Sequence, residues 1–164
     1  MMNNQYLTFA VSGDEYGVAI LRVKEIIAFE SVTRVPRTPA FIRGVINLRG
    51  SVVPVIDVAR KFGYGETVPS RSTCTVIVEA EIDGKPLILG LLVDAVSEVV
   101  ELLPDDIQEP PRFGTQIDVE FLVGMGRAGN RFVLLLDIDK VLAASEVAAT
   151  IAASEDAELV EAVV

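Results

Sequence analysis

The sequence contains no histidine and no tryptophan, and it has one cysteine, Cys74. Without histidine the chain cannot form a Ser-His-Asp or Cys-His nucleophile system, a His-ligated metal site or a phosphohistidine carrier. One cysteine excludes an internal disulfide and a paired-cysteine metal site, which suits a reducing compartment. Cys74 lies in an alternating, strand-like segment without a nearby base, so we interpret it as a packed thiol. We therefore expect no cofactor and no metal.

Basic residues are also scarce, with 14 Lys and Arg against 24 Asp and Glu and a net charge of -10. A nucleic-acid-binding protein needs a basic surface to neutralise phosphates, and an anionic membrane repels an acidic chain. The apolar runs, such as 87–93, are far shorter than the roughly 20 residues that span a bilayer. The first six residues lack the pattern of a signal peptide. We expect a cytoplasmic protein with no nucleic acid partner and no direct membrane insertion.

What the chain does contain is an internal repeat, because residues 41–62 recur without gaps as residues 121–142. A second segment, 17–27, aligns in the same way with 90–100 and shares a Gly, a Val and a Glu with it. The identities in the longer repeat are Phe41 with Phe121, Gly44 with Gly124, Val53 with Val133, and Asp57 with Asp137. Shared residues are expected to encode a scaffold, and unshared ones are where function can differ.

The spacing of glycines in 124–129 matches a dinucleotide-binding fingerprint, but its context does not. That fingerprint opens a helix, whereas here an apolar, β-rich run follows. A hairpin explains the segment better, because Gly129 and Asn130 form a turn dipeptide between two apolar segments. Paired carboxylates remain available as acids and bases, although no spacing in the sequence favours them.

The pattern predicts mostly β structure with four hairpins. Helical turns are expected around 20–27, 40–43 and 58–62, and the stretch 104–120 reads as a long surface loop. The strand pairs of the predicted hairpins are 6–12 with 15–19, 44–48 with 51–57, 73–82 with 85–93, and the two strands within 121–139. Pro54 cannot donate to a strand ladder, so we expect an edge or a bulge there.

Several motifs together resemble a CheW-type chemotaxis coupling protein over about residues 6–142. The block Gly44-Val-Ile-Asn-Leu-Arg-Gly50 is highly specific to that family. The other matching pieces are Tyr16-Gly-Val18, Leu21-Arg-Val-Lys-Glu-Ile-Ile27, Thr33-Arg-Val-Pro36, Pro39-Ala-Phe-Ile-Arg43 and Val53-Pro-Val-Ile-Asp57. The resemblance implies two SH3-like five-stranded antiparallel β-barrels packed together, which agrees with the repeat.

This resemblance also sets the expected domain organisation. Residues 1–142 form one CheW-like domain made of two intertwined barrels, roughly 15–65 and 73–142, with the strand 6–12 as a candidate for sharing between them. Residues 143–164 carry five acids and no base. Their Ala and Glu content predicts a C-terminal helix or tail that is largely dispensable.

The function that the resemblance implies is that of a non-enzymatic adaptor. It would join the cytoplasmic hairpin of methyl-accepting chemoreceptors to the regulatory domain of a CheA-type histidine kinase, as a monomer that enters larger arrays. A coupling scaffold of a non-flagellar chemosensory pathway, serving pili, second messengers or development, is the alternative. A barrel that binds sugars or nucleic acid is disfavoured, because it would want exposed aromatics or basic grooves.

The resemblance links Val23, Glu25 and Arg49 to receptor or kinase contacts, and Ile26 is a further apolar candidate. Val23 fits the core equally well, and Glu25 fits a solvated face. Arg49 is the strongest candidate, because the second half builds the equivalent turn without arginine. The remaining picks are interpreted as turn and scaffold residues: Gly44, Asn47, Gly50, Pro54, Asp57, Gly124 and Asp137.

Overall fold

The computed structural model describes residues 4–36, 38–82, 84–109, 119–141 and 146. In this part of the chain, short strands dominate and one α-helix of four residues, α1 (Val58–Lys61), is present. Short 3-10 turns occupy Ile20–Arg22, Pro104–Asp106 and Val119–Phe121. The strands are β1 (Gln5–Val11), β2 (Asp14–Ala19), β3 (Val23–Ala28), β4 (Ile42–Leu48), β5 (Ser51–Asp57), β6 (Cys74–Ile82), β7 (Lys85–Val93), β8 (Ala95–Glu101), β9 (Ile107–Gln108), β10 (Leu122–Ala128) and β11 (Arg131–Leu136).

Four antiparallel hairpins organise the strands, and they are the four that the sequence predicts. Two-residue turns with positive φ match the right-handed twist of the flanking strands. The first hairpin turns through Ser12 and Gly13, at φ values of 50° and 86°. The hairpin of β4 and β5 turns through Arg49 and Gly50, at 52° and 86°. The predicted mostly β fold is confirmed, and the two expected barrels are present as two curled sheets.

The strands form one sheet of six strands, ordered β8-β1-β2-β11-β10-β9, and one of five, ordered β3-β6-β7-β5-β4. The sixth strand, β9, has two residues and extends one edge beyond the five strands expected. Omitting β9, the two orders correspond position by position: an edge strand, a hairpin, and a second hairpin. Each sheet is therefore one copy of the same arrangement, as the internal repeat indicates.

The strands are divided between the sheets differently from the expected ranges 15–65 and 73–142. The hairpin of β6 and β7 belongs to the sheet of β3, β4 and β5, while the hairpin of β1 and β2 belongs to the sheet of β8 to β11. Each exchanged hairpin fills a gap: β6 pairs with β3, and β7 pairs in parallel with β5. In the other sheet, β1 pairs with β8 and β2 with β11. These long-range pairings leave no trace in local sequence patterns.

The predicted helical turns have mixed outcomes. Helix α1 confirms the turn expected at 58–62. The segment 20–27 makes only a 3-10 turn before β3, because its β-branched residues pair with β6 instead. In the expected segment 40–43, residues 40–41 form a turn before β4 begins at Ile42. The predicted C-terminal helix and tail fall almost entirely outside the described residues.

Pro54 lies inside β5, which has neighbours on both sides. The antiparallel ladder places Pro54 opposite Val45 in β4. On the other side, the parallel pairing with β7 begins at Val55. Pro54 therefore lies just outside the paired part of β5 and β7. Because no β7 carbonyl pairs at this position, the missing N–H of proline costs no hydrogen bond to β7.

The main hydrophobic core lies between the two sheets and draws on both of them. An aromatic series runs through it, in which Phe9 stacks with Tyr16, Tyr16 packs against Phe62, and Phe62 stacks with Phe121. Smaller clusters fill the separate sheets, one around Val45 and one around Leu102. Because the largest core is shared, the sheets stabilise each other.

At one side of this core, the buried Tyr16 hydroxyl belongs to a chain of hydrogen bonds that continues through Tyr64 to Asp14. Its oxygen lies 2.9 Å from the Tyr64 oxygen, and Tyr64 donates to Asp14 Oδ2 at 3.1 Å. Since the Tyr64 proton is directed to Asp14, Tyr16 donates to Tyr64. Burial raises the pKa of Tyr16 well above its ordinary value, and the hydrogen bond to Tyr64 raises it further. Burial likewise raises the pKa of Tyr64.

Because the pKa values of these two tyrosines are raised in the folded protein, we expect the folded state to lose stability at alkaline pH. A group whose pKa is raised in the folded state contributes stability below its unfolded pKa, and that contribution is lost as pH rises through the folded value. The free energy of unfolding should therefore decline above about pH 10, where unfolded tyrosine ionises. Urea unfolding between pH 8 and 11 measures the decline, and Tyr16→Phe should flatten it. Equal slopes for the variant and the original protein would contradict this assignment.

Candidate functional site

Two of the sequence-predicted contact residues, Glu25 and Arg49, meet at the edge of the five-stranded sheet. Arg49 Nη1 donates to Glu25 Oε2 at 2.6 Å, and Arg49 Nη2 donates to Glu25 Oε1 at 3.2 Å. The Arg49 side chain is 76% exposed and that of Glu25 is 25% exposed. The pair thus ties the edge strand β3 to the β4–β5 turn and presents a guanidinium to solvent.

Arg49 occupies a backbone conformation that does not favour arginine. Its φ of 52° lies in the left-handed region, which costs a residue with a Cβ about 1 kcal/mol. The repeat-related turn places Gly129 there instead, at φ 64°. An exposed ion pair returns only about 0.5 kcal/mol. The turn is therefore not optimised for stability, and the arginine side chain calls for another explanation.

The apolar candidates Val23 and Ile26 are placed differently from each other. Val23 is half-buried and packs against the main core, which is the alternative left open by its sequence pattern. Ile26 is 43% exposed on the edge strand. Leu21, in the preceding 3-10 turn, is still more exposed and was not predicted as a contact residue. The segment from Leu21 to Ile26 therefore offers apolar surface next to the Glu25–Arg49 pair.

Three predicted scaffold residues shape the β4–β5 hairpin. Asn47 Oδ1 accepts a hydrogen bond from the Gly50 amide at 2.9 Å, which closes the turn that carries Arg49. Gly44 has a φ of 153°, and a Cβ there would stand 2.5 Å from the Thr33 carbonyl oxygen. The same carbonyl accepts from Val45 N, so the chain around Thr33 is held against β4. Gly44 thus permits a close backbone approach.

Asp57 is buried at the end of β5, where it holds the following loop. It accepts from the Thr67 amide at 2.8 Å and from the Thr67 hydroxyl at 2.6 Å. It also accepts from Arg60 N at 3.3 Å as the N-cap of α1. The Arg43 guanidinium lies 3.6 Å away and is itself paired with Glu66. Every contact ties chain segments together, and this indicates a structural carboxylate.

Asp137 and Gly124 are the repeat partners of Asp57 and Gly44, in a looser setting. Asp137 accepts from Asp139 N at 3.2 Å, and Lys140 Nζ lies 4.0 Å away. A Cβ at Gly124 would stand 2.8 Å from a methyl group of Ile107, so a close approach recurs there. Asp57 and Asp137 are bound into separate local networks. They do not form the converging pair of acids that a carboxylate enzyme requires.

A second Arg–Glu pair, missed by sequence reasoning, lies on the six-stranded sheet. Arg131, the first residue of β11, pairs with Glu98 on the edge strand β8, and its Nε lies 3.2 Å from Glu15 Oε2. Hydrogen bonding to Glu98 raises the pKa of Arg131. In the internal repeat, Glu98 aligns with Glu25. Arg131 aligns with Ser51 and not with Arg49, so the alignment gave no sign of a second Arg–Glu pair. The pair borders an open cleft of about 600 Å³.

Within the described ranges, no helix is long and apolar enough to cross a membrane. The same residues include no group of three or more Cys, Asp or Glu side chains arranged to hold a metal ion. The described part of the chain is thus a small protein of two packed, curled β-sheets, with an Arg–Glu pair at an edge strand of each sheet.

Comparisons with known proteins identify the family. A family model described as a CheW-like domain matches residues 5–146. "Chemotaxis protein CheW" of Klebsiella aerogenes is 36% identical over 147 residues, covering 90% of this chain and 86% of that protein. "Protein FrzA" of Myxococcus xanthus is 32% identical over 141 residues and covers 84% of each chain.

A solved structure agrees with this assignment. The crystal structure of scaffolding protein TtCheW from Thermoanaerobacter tengcongensis superposes with a TM-score of 0.77 at 34% identity, covering 89% of this chain and 92% of that one. The chain therefore belongs to the CheW-like domain family, and the resemblance carried by its motifs is confirmed.

Proposed function

We propose that this protein is a non-enzymatic adaptor that couples the cytoplasmic tips of methyl-accepting chemoreceptors to a CheA-type histidine kinase. The observation that carries the proposal is the Glu25–Arg49 ion pair at an exposed sheet edge. Arg49 occupies this position although its backbone conformation does not favour arginine. Family membership supplies the context of chemotaxis scaffolds. The adaptor acts in the cytoplasm, as a monomer that enters larger arrays.

The receptor partner fits the chemistry of this edge. A receptor tip is a helical hairpin, and an amphipathic helix needs apolar contacts beside charges that fix its orientation. Ile26 and Leu21 supply exposed apolar surface, and Arg49 supplies the exposed charge. Val23 supports the edge strand from the core side. Glu25 holds the Arg49 guanidinium in place between binding events.

The kinase partner is proposed from the family. The regulatory domain of a CheA-type kinase shares the two-barrel fold, so the two proteins can associate through like barrels. A second candidate function is suggested by the relative from Myxococcus xanthus, which is named Protein FrzA rather than CheW. In that candidate the same scaffold serves a non-flagellar chemosensory pathway, with the same kinds of partner.

Isothermal titration tests the kinase part of the proposal directly. The protein is titrated with the isolated regulatory domain of each CheA-type kinase encoded in the same genome. We expect saturable binding with a Kd on the order of micromolar or tighter, about -8 kcal/mol. Absence of binding to every such domain at high concentration would sink the coupling proposal and leave the family assignment intact.

A further inference from the structure

The six-stranded sheet carries a second copy of the surface that forms the candidate site on the five-stranded sheet. In the internal repeat, Glu98 aligns with Glu25 and Val99 aligns with Ile26. Both aliphatic side chains are exposed on an edge strand, Val99 by 48% and Ile26 by 43%. Each edge strand therefore presents a glutamate that is paired with an arginine, next to an exposed aliphatic side chain.

A bulge in the strand pairing positions the glutamate on each edge strand. The register between β1 and β8 shifts next to Glu98, as the register between β3 and β6 shifts next to Glu25. The buried Thr8 hydroxyl donates to the Glu98 carbonyl at 2.9 Å and accepts from the Glu98 amide at 3.2 Å. Because a bulge re-aims the side chain that it carries, the backbone holds Glu98 in a defined orientation at the edge.

Stability does not account for the ion pairs at this second edge. Arg131 and Arg49 occupy different positions of the repeat, so the shared scaffold does not require an arginine here. The Glu15 carboxylate also pairs with Arg131, but its Oε1 is buried and has no hydrogen-bond partner in the described part of the chain. A buried acceptor without a donor destabilises a fold, and an exposed ion pair returns little. The cluster is thus one donor short.

The cleft beside this edge has an excess of negative charge. Its volume is about 600 Å³, and among the described residues that line it Glu98 and Glu101 are acidic and Arg131 is basic. Glu15 adds a third carboxylate, with Oε2 at 3.2 Å from Arg131 Nε. Three carboxylates therefore share one guanidinium, whereas the first edge pairs one carboxylate with one guanidinium.

We propose that Glu98, Val99, Glu101 and Arg131, here called the Glu98 edge, form a second docking surface for a protein that presents a lysine or arginine beside an aliphatic side chain. The basic group enters the acidic cleft, where carboxylates accept its hydrogen bonds, and the aliphatic group covers Val99. Because the two edges have similar geometry but different net charge, they select different partners. The chain's own residues 143–164 do not fit this surface, since they carry five acids and no base.

The identity of the partner rests on the proposed function. A coupling protein holds a receptor and a kinase at the same time, and this requires two separate surfaces. With the receptor hairpin at the Glu25–Arg49 pair, the regulatory domain of the kinase is the partner that still lacks a surface. We therefore expect this regulatory domain, through a basic residue beside an aliphatic one, to occupy the Glu98 edge.

Titration calorimetry with charge-reversed variants tests this assignment. Glu101→Lys should weaken binding of the regulatory domain at least about tenfold, because it sets a like charge against the basic group of the partner. It should leave binding of a receptor hairpin unchanged, and Arg49→Glu should have the opposite pattern. The matched control is Glu81→Lys, which makes the same charge change at an exposed position of β6 and should bind both partners like the original protein.

Glu98→Gln provides a second test, because it removes one carboxylate from the cleft and should weaken binding of the regulatory domain severalfold. Urea unfolding checks that each variant is folded. If Glu98→Gln folds poorly, Glu101→Lys decides alone, because Glu101 forms no ion pair within the described residues.

Two results would overturn the inference and leave the proposed function intact. The first is binding of the regulatory domain to Glu101→Lys as tightly as to the original protein. The second is self-association of the original protein that Glu101→Lys abolishes in sedimentation velocity, with binding of the regulatory domain unchanged, which would make a second copy of this chain the occupant. If the original protein binds no regulatory domain, the proposed function and this inference fail together.

Discussion

Replacing Arg49 with glutamate should weaken binding to a chemoreceptor cytoplasmic hairpin by at least about tenfold. The substitution removes the exposed guanidinium and sets a carboxylate beside Glu25, where Arg49 now donates two hydrogen bonds. The new like-charge pair repels at the edge strand. Titration of the variant with a soluble receptor hairpin measures the loss. Arg71→Glu, with the same charge change in an exposed loop, should bind like the original protein.

Arg49→Gly separates binding from folding at the same position. Glycine accepts the left-handed conformation without strain, as Gly129 does in the repeated turn. The free energy of unfolding should therefore stay level or rise by up to about 1 kcal/mol, although the Glu25 pair is lost. Receptor binding should still fall. A glycine variant that binds the hairpin as well as the original protein would show that the arginine is not a contact residue.

Asp57→Ala should cost about 3 kcal/mol of folding free energy. It leaves the Thr67 amide and hydroxyl without their acceptor in a buried site and removes the cap of α1. It also leaves Arg43 facing the site without this carboxylate. Asp57→Asn keeps one acceptor oxygen, so it should lose less. Urea unfolding followed by circular dichroism provides the measurement.

The internal repeat supplies the control for this prediction. Asp137 occupies the equivalent position, but its side chain is 26% exposed and accepts from one backbone amide. Asp137→Ala should therefore cost less than about 1 kcal/mol. Equal losses at the two positions would mean that the Thr67 contacts contribute nothing. If either variant folded normally but lost an enzymatic activity, this result would support the hypothesis of an enzyme with paired carboxylates, which the geometry disfavours.

The hairpins could be predicted because their determinants are local. Turn residues such as Gly13 and Gly50 and the alternating strands on either side specify each pair. Which hairpin joins which sheet could not be predicted, since the parallel pairings of β5 with β7 and of β2 with β11 join segments far apart in sequence. A repeat shows that two copies of an arrangement exist, but not that they exchange hairpins.

The candidate site shows a similar division. Glu25 and Arg49 could each be picked from the sequence by resemblance, but their ion pair depends on the distance between a sheet edge and a turn. Arg131 was missed because the alignment pairs it with a serine, although in space it reaches Glu98 as Arg49 reaches Glu25. The burial of Lys61, whose side chain is 9% exposed, could not be predicted, because a lysine in a short helix resembles a surface residue. Its burial follows only from the packing of both sheets.

The central claim is that this protein couples a receptor to a kinase, and the autophosphorylation rate of the kinase tests it most directly. The rate is measured for the CheA-type kinase with receptor-containing membranes, in the presence and absence of this protein. We predict that receptor-dependent control of the rate appears only when the protein is added and is lost with Arg49→Glu but not with Arg71→Glu. A rate that receptors control equally well without the protein, or that never responds when it is present, would contradict the coupling function.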